Sequence, residues 1–243
     1  LFNNKDILVL RNLTKLSNDK KEEILDYLNK DEKLKPFVNH FPTLENFEKQ
    51  IVEKQTHQID RSALVKVLKE QNQSFNLSKS SKGNIDLLKL DTTFSVTTGH
   101  QLCLFTGPLY FIYKIISTIN LCEHLTAKYP SNKFVPVFWM ATEDHDFKEI
   151  NHIHLFGKKI EWDTKQNGAV GKMNLDGFES VLSELKLVLG SHKNVDKLIT
   201  LFKDIYLNNK NLADVKRCLV NELFGKYGLV IIDGDDKDLK KQF

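Results

Sequence analysis

An α/β fold built around an open parallel sheet is what this sequence predicts, and three observations carry the expectation. Charge nearly disappears from Thr92 to Thr142, where Lys114, Glu123, Lys128 and Lys133 are the charged residues in a chain that is 28% charged overall. Within that stretch a short strand pattern, a glycine-containing turn, a long apolar helix and a second apolar strand follow one another, the order of a βαβ unit. A further apolar strand pattern, Leu229 to Asp233, returns after a series of amphipathic helices.

From Leu1 to about Gly83 the text is charged and helical in period. Asp19 and Glu22 have capping-pair spacing before Ile24, Leu25 and Leu28. Leu44, Phe47 and Ile51 mark a second helix, and Ile59, Leu64, Val67 and Leu68 a third. Asn72 to Gly83, rich in Ser, Asn and Lys, reads as a surface loop.

Phe94 to Thr97 reads as a strand and Leu109 to Lys128 as a helix opened by Pro108. Phe134 to Met140 is a near-continuous apolar run, as an interior strand of a parallel sheet requires. The absence of charge predicts that the whole stretch is the buried centre of the domain. After Asn151 the alternation of His152, His154 and Ile160 to Trp162 around Phe156-Gly157-Lys158-Lys159 predicts a hairpin. Phe178 to Leu189 forms a helix stopped by Gly190, Val195 to Ile205 a second, and Leu212 to Leu223 a third that ends near Gly225. The hairpin and the first two of these helices read as an insertion into a Rossmann-like sheet. The expected organisation is a helical segment over residues 1–85, a first part of the core over 86–153, an inserted subdomain over 154–210, and a return to the core over 211–243.

Composition excludes several functions. The 243 residues carry a net charge of +3, with 16 basic against 13 acidic side chains up to residue 90 and 19 against 19 beyond it. No basic block is set up for nucleic acid, and only Arg11, Arg61 and Arg217 are arginine. Cys103, Cys122 and Cys218 are widely spaced and odd in number, which argues for a reducing cytoplasm and against a disulfide scaffold or a cysteine zinc site. The longest uncharged run, Thr92 to Tyr113, is broken by Thr, His, Gln, Gly and Pro and is no membrane span. Leu1 in place of Met, and the charged run Asp233 to Lys241 directly after a strand, lead to the expectation of an amino-terminal fragment. The sheet would then be incomplete at the carboxyl end, with an unpaired edge beside the last strand.

Two segments could carry chemistry. Thr98, Gly99, His100 and Gln101, followed by Thr106 and Gly107 before Pro108, place glycines and hydroxyls between a strand and a helix, where free amides could bind an anion. Tyr110 and Lys114 share a helix face beside them. The plainer alternative is a tight turn with a helix cap. The second segment, Glu143-Asp144-His145-Asp146, follows a strand end, where ligands of open parallel sheets bind. Its carboxylates could hold an amine and take its proton, with a pKa raised by their mutual repulsion, or could simply cap the next helix. His152 and His154 alternate on one strand face at a spacing metals use, so Asp144, Asp146, His152 and His154 could also serve a metal-dependent hydrolase. A non-catalytic ligand-binding module is a third class.

The strings Thr98-Gly99-His100-Gln101, Leu104-Phe105-Thr106-Gly107-Pro108-Leu109-Tyr110 and Tyr113-Lys114-Ile115-Ile116 resemble the bacillithiol-biosynthesis cysteine-adding enzymes, or cysteine ligases. So do Val135 to Trp139, Glu143 to Phe147, Glu149 to His152, Asn221 to Phe224, and Tyr227 to Val230 with Asp233. The resemblance spans nearly the whole chain and is strongest from Val96 to His152. It implies addition of L-cysteine to the amine of glucosaminyl-malate, with ATP consumed or ADP formed, on a Rossmann-like core. It also implies a longer protein whose coiled-coil segment supports homodimers. Within that reading Glu143, Asp144, His145 and Asp146 are the catalytic candidates, with Asp144 the first choice as base and His145 the second. Thr98, Gly99, His100, Gln101, Thr106, Gly107, Tyr110, Lys114, Trp139, Asn151 and His152 would line the substrate or phosphate pocket, with no metal. The family pattern carries Gln at position 100, which implies hydrogen bonding by His100 rather than proton transfer.

Overall fold

The computed structural model describes residues 18–242, in two compact units that divide between His57 and Gln58. Arg11 lies outside the described residues, as does the side chain of Asp19. The first unit holds α1 (Asn18–Asn29) and α2 (Asn46–Gln55). Glu53 of α2 accepts from Asn39 at 2.6 Å and pairs with His40 at 2.7 Å, tying the intervening turns to the helix.

The second unit begins with α3 (Arg61–Asn72), capped by Asp60, and α4 (Lys79–Leu87), capped by Ser78. The α4 helix occupies part of the segment expected to be a loop. Its polar residues are not a solvent signal: the Ser81 hydroxyl is buried and donates within 2.9 Å of the carbonyls of Gly225 and Leu229. A serine with two tertiary acceptors looks, in sequence, like a loop residue.

Three parallel strands follow in the order β1-β2-β5: β1 (Thr93–His100), β2 (Lys133–Met140) and β5 (Val230–Asp233). The 20-residue α5 (Leu109–Lys128) connects β1 to β2, as the sequence predicts, and β2 is central. Helices cover both faces. Val65, Val67, Leu68, Ile85 and Leu88 from α3 and the α4 region pack on Val135, Val137, Val230 and Ile232. Phe111, Ile115 and Ile119 of α5 pack on the other face with Phe138, Met140 and Ile231. Each fully buried side chain of this size contributes about 1.5–3 kcal/mol.

Burial of the charge-poor stretch is incomplete, which corrects the expectation. Ser95 and Thr97 of β1 are exposed, and so are Leu109, Tyr110 and Tyr113 at the start of α5. Among the described residues no strand pairs with the outer side of β5, as expected, but side chains bond part of its outward main chain: Gln71 takes Asp233, and Arg217 and Asn72 take the Ile231 carbonyl.

Between β2 and β5 run the short α6 (Phe147–Ile150), the antiparallel pair β3 (His152–Leu155) and β4 (Lys158–Glu161), then α7 (Phe178–Leu189), α8 (Val195–Leu207) and α9 (Leu212–Phe224). The hairpin turn is Phe156-Gly157, both at positive φ, with Lys158 and Lys159 already in β4. Phe178 stacks on Tyr206 with centroids 4.2 Å apart, and Trp162 meets Phe178 edge-on. The described residues close with α10 (Lys237–Lys240).

Candidate active site

The carboxyl ends of the three strands bring together His100, Met140 and Asp233, which are aligned across the sheet. The loops that leave these ends carry most of the residues singled out in the sequence. From the β1 loop, Gln101 donates its side-chain amide to Asp144 at 3.1 Å and to Glu149 at 2.7 Å. Two segments 43 and 48 residues away in sequence thus meet on one glutamine. Asp144 also accepts from the Asp146 amide at 3.1 Å. That bond, with Gln101 next, holds the Asp144 carboxyl below the usual aspartate range. The expected rise is therefore reversed: hydrogen bonds to the ionised form outweigh the opposing effect of burial.

Glu143 is exposed and faces Lys240 at 3.5 Å, while Lys240 also pairs with Asp235 and Lys172 reaches Asp235 at 3.1 Å. These two lysines lower the Asp235 pKa, Lys240 first. His145 and Asp146 are exposed, and Asp146 sits at the start of α6 without a side-chain cap bond, so capping does not explain it. Thr142 is buried and donates to the Asp233 carboxylate, which joins the ends of β2 and β5.

The β1 loop is held from beneath. Phe105 adopts φ of 52°, and its amide donates to the Tyr206 hydroxyl. Lys216, fully buried on α9, donates to the carbonyls of Cys103 at 2.6 Å and Phe105 at 2.9 Å and lies over the Phe111 ring. Burial pulls its pKa down to about 8. Gly107 has φ of 59°, and a Cβ there would lie 2.7 Å from the Cys103 Cβ. Its hydrogen is needed for the backbone itself. The amides of Leu104, Phe105 and Gly107 are bonded to Ile150, Tyr206 and Leu104, so this loop does not offer them to an anion. What stays open is the first turn of α5, which begins at Pro108 without a side-chain cap, with Thr106 half-buried just before it.

His100 donates Nδ1–H to the Gln101 carbonyl at 3.1 Å and meets Phe111 edge-on. Burial lowers its pKa, and Lys114 and Lys216 act in the same direction. Thr98 and Gly99 lie in β1 opposite Phe138 and Trp139. Lys114 donates to the Gly99 carbonyl and sits 5.1 Å from the Tyr110 ring centre, on the shared helix face that the spacing predicts. Trp139 is partly exposed, and its ring lies against Gly234.

Asn151 is buried and binds the Trp162 carbonyl and Glu161, so it fixes the base of the hairpin. His152 bonds Asn151 and meets His154 edge-on at 5.2 Å. Among the described residues no group of three or more His, Cys, Asp and Glu is placed to hold a metal ion, so Asp144, Asp146, His152 and His154 do not converge as a hydrolase centre would need. Sequence reasoning missed Lys216, although a lysine four residues from both Leu212 and Val220 on an apolar helix face was its signal. Glu149 appeared only within a family-like string and Asp233 only there, at a strand end and at the start of a charged run, and no pattern tied them to Gln101 or Thr142.

Residues 11–243 match the family model described as the bacillithiol biosynthesis BshC N-terminal Rossmann-like domain. The chain is 56% identical over 222 residues to the cysteine ligase BshC of Flavobacterium johnsoniae, an alignment covering 90% of this chain and 42% of that protein. It is 52% identical over 223 residues to the one of Flavobacterium psychrophilum, with the same coverage. With that of Natranaerobius thermophilus identity is 33% over 221 residues, covering 86% of this chain and 40% of the relative. The chain thus spans about two-fifths of the length of these curated relatives.

Proposed function

The chain belongs to the bacillithiol biosynthesis BshC family, through its N-terminal Rossmann-like domain, and on that premise we propose that it forms the amino-terminal part of a cysteine ligase. The reaction is the joining of the L-cysteine carboxylate to the amine of glucosaminyl-malate. One observation carries the reading: the Gln101 side chain holds Asp144 and Glu149 together beyond the strand ends, where a cationic amine would be bound.

Asp144, kept ionised by the Asp146 amide and Gln101, pairs with the substrate ammonium and orients it. The neighbouring exposed imidazole of His145 takes the proton that the ammonium must lose before its nitrogen attacks the cysteine carbonyl carbon. ATP would supply the activation that turns the carboxylate oxygen into a leaving group. The uncapped first turn of α5, with Thr106, is the part of this chain suited to its phosphates. His100 and Lys114 shape the β1 loop and its outer carbonyl rather than transferring protons.

The reading extends to a reducing cytoplasm, in keeping with free thiols at Cys103, Cys122 and Cys218, and to a homodimer of the longer family chain. No helix among the described residues is long and apolar enough to cross a membrane. The test incubates a purified full-length family member with L-cysteine, glucosaminyl-malate and ATP and follows bacillithiol by mass spectrometry. Product that depends on all three supports the reading, and a folded protein that yields none overturns it.

A further inference from the structure

Residues 101–105 of the β1 loop carry part of the candidate site on one side and rest on inserted helices on the other. Outward, the Gln101 side chain donates to Asp144 at 3.1 Å and to Glu149 at 2.7 Å. Inward, Leu102 and Leu104 are fully buried, and the carbonyls of Cys103 and Phe105 converge on the Lys216 ammonium at 2.6 and 2.9 Å. The amides are fixed as well: Leu104 donates at 3.1 Å to the carbonyl of Ile150, next in sequence to Glu149, and Phe105 donates to the Tyr206 hydroxyl. A segment bonded at nearly every main-chain group has no slack, so the place of Gln101 follows from what holds its neighbours.

A buried carbonyl needs a donor, and two that converge need one group able to serve both. The left-handed backbone of Phe105, with φ of 52°, is a conformation an aromatic residue keeps only where its surroundings hold it. Lysine meets both needs with three donors on a long apolar stem. The Lys216 ammonium also lies over the Phe111 ring, 4.8 Å from its centre. No carboxylate among the described residues pairs with it, so the contacts of this fully buried cation go to the loop and to the first turn of α5.

We infer that Lys216 is the positioning residue of the candidate site: through the β1 loop it holds Gln101 where the side-chain amide grips Asp144 and Glu149 together. Without the ammonium, the Cys103 and Phe105 carbonyls must turn toward water, and the main chain at Gln101 turns with them. The groups of the site come from the strand ends, while their spacing is set from α9, 113 residues beyond Cys103. The kinetic consequence rests on the proposed amine site; the hold on the loop does not.

The experiment compares Lys216→Met with Leu68→Ala in the full-length protein. Leu68 is buried in the core on the other face of the sheet, so its truncation lowers stability from a distance. Amide hydrogen exchange at Leu104, Phe105 and Gly107 is expected to quicken in Lys216→Met by about a hundredfold more than in Leu68→Ala. Equal protection in the two variants overturns the inference, whether or not the protein is a ligase. Lys216→Met and Gln101→Ala are each expected to raise the KM for the amine about tenfold with little change in kcat, and the double variant no further, because both remove one grip. An unchanged KM in Lys216→Met, effects that multiply, or an equal rise in Leu68→Ala each overturn it. Wild-type protein without turnover sinks the ligase reading alone, and the exchange comparison then decides. Should Lys216→Met not fold, Lys216→Gln, whose donor sits one atom closer to the helix, is read against the same expectations.

Discussion

Gln101 and Asp144 are 43 residues apart in sequence, and their side chains meet at 3.1 Å across the ends of β1 and β2. The contact fixes the carboxylate in its charged form, because the Asp146 amide and the Gln101 amide both donate to it. An aspartate held this way binds a cation well and is a poor proton acceptor. In the full-length protein, Asp144→Asn is therefore expected to raise the KM for the amine substrate more than it lowers kcat. His145→Ala is expected to lower kcat by about two to four orders of magnitude, the usual range for a general base. Steady-state kinetics decide, and the opposite split returns the base to Asp144.

Gly107 and Gly157 separate two costs of a glycine at positive φ. Both lie in that region, but a Cβ at Gly107 would meet Cys103 at 2.7 Å, while one at Gly157 meets nothing within 4 Å. Gly157→Ala is expected to cost about 1–2 kcal/mol from backbone strain. Gly107→Ala adds a clash in the β1 loop and should cost clearly more, read as a larger fall in the urea midpoint.

Lys216 has its folded pKa at about 8, against about 10.4 for an ordinary lysine. Between these values the unfolded chain binds more protons, so this residue's contribution to stability rises with pH through that window. Lys216→Met leaves the Cys103 and Phe105 carbonyls without their donor, at a cost of about 1–3 kcal/mol. The stability difference between wild type and variant is expected to widen from pH 8 to pH 10. A difference independent of pH in urea titrations would show that burial does not lower the pKa of this lysine.

Trp139 covers Gly234, and a Cβ at Gly234 would fall inside the indole ring's contact distance. Gly234→Ala is expected to push the ring outward and shift its emission to longer wavelength. Trp162, fully buried, is the other tryptophan, so the measurement belongs in a Trp162→Phe background. Unchanged emission would mean that the β5 end moves instead.

What the sequence by itself determined was local. Apolar period and end signals placed α5 at Leu109–Lys128, α7 at Phe178–Leu189 and the central strand β2, because such signals act between neighbours in the chain. The strings around Gly99 and Asp144 were legible too, as was the rule that puts a site beyond strand ends. Only the tertiary structure decided which of those residues act together and in what charge state. Gln101 reaches Glu149, Thr142 reaches Asp233, and Lys216 reaches the β1 loop across separations of 48, 91 and 113 residues. It also lowered the Asp144 pKa that its sequence neighbours suggested was raised, and turned the polar run before Gly83 into α4. Hydrogen bonds and burial depend on distance in space, and a one-dimensional pattern records only distance along the chain.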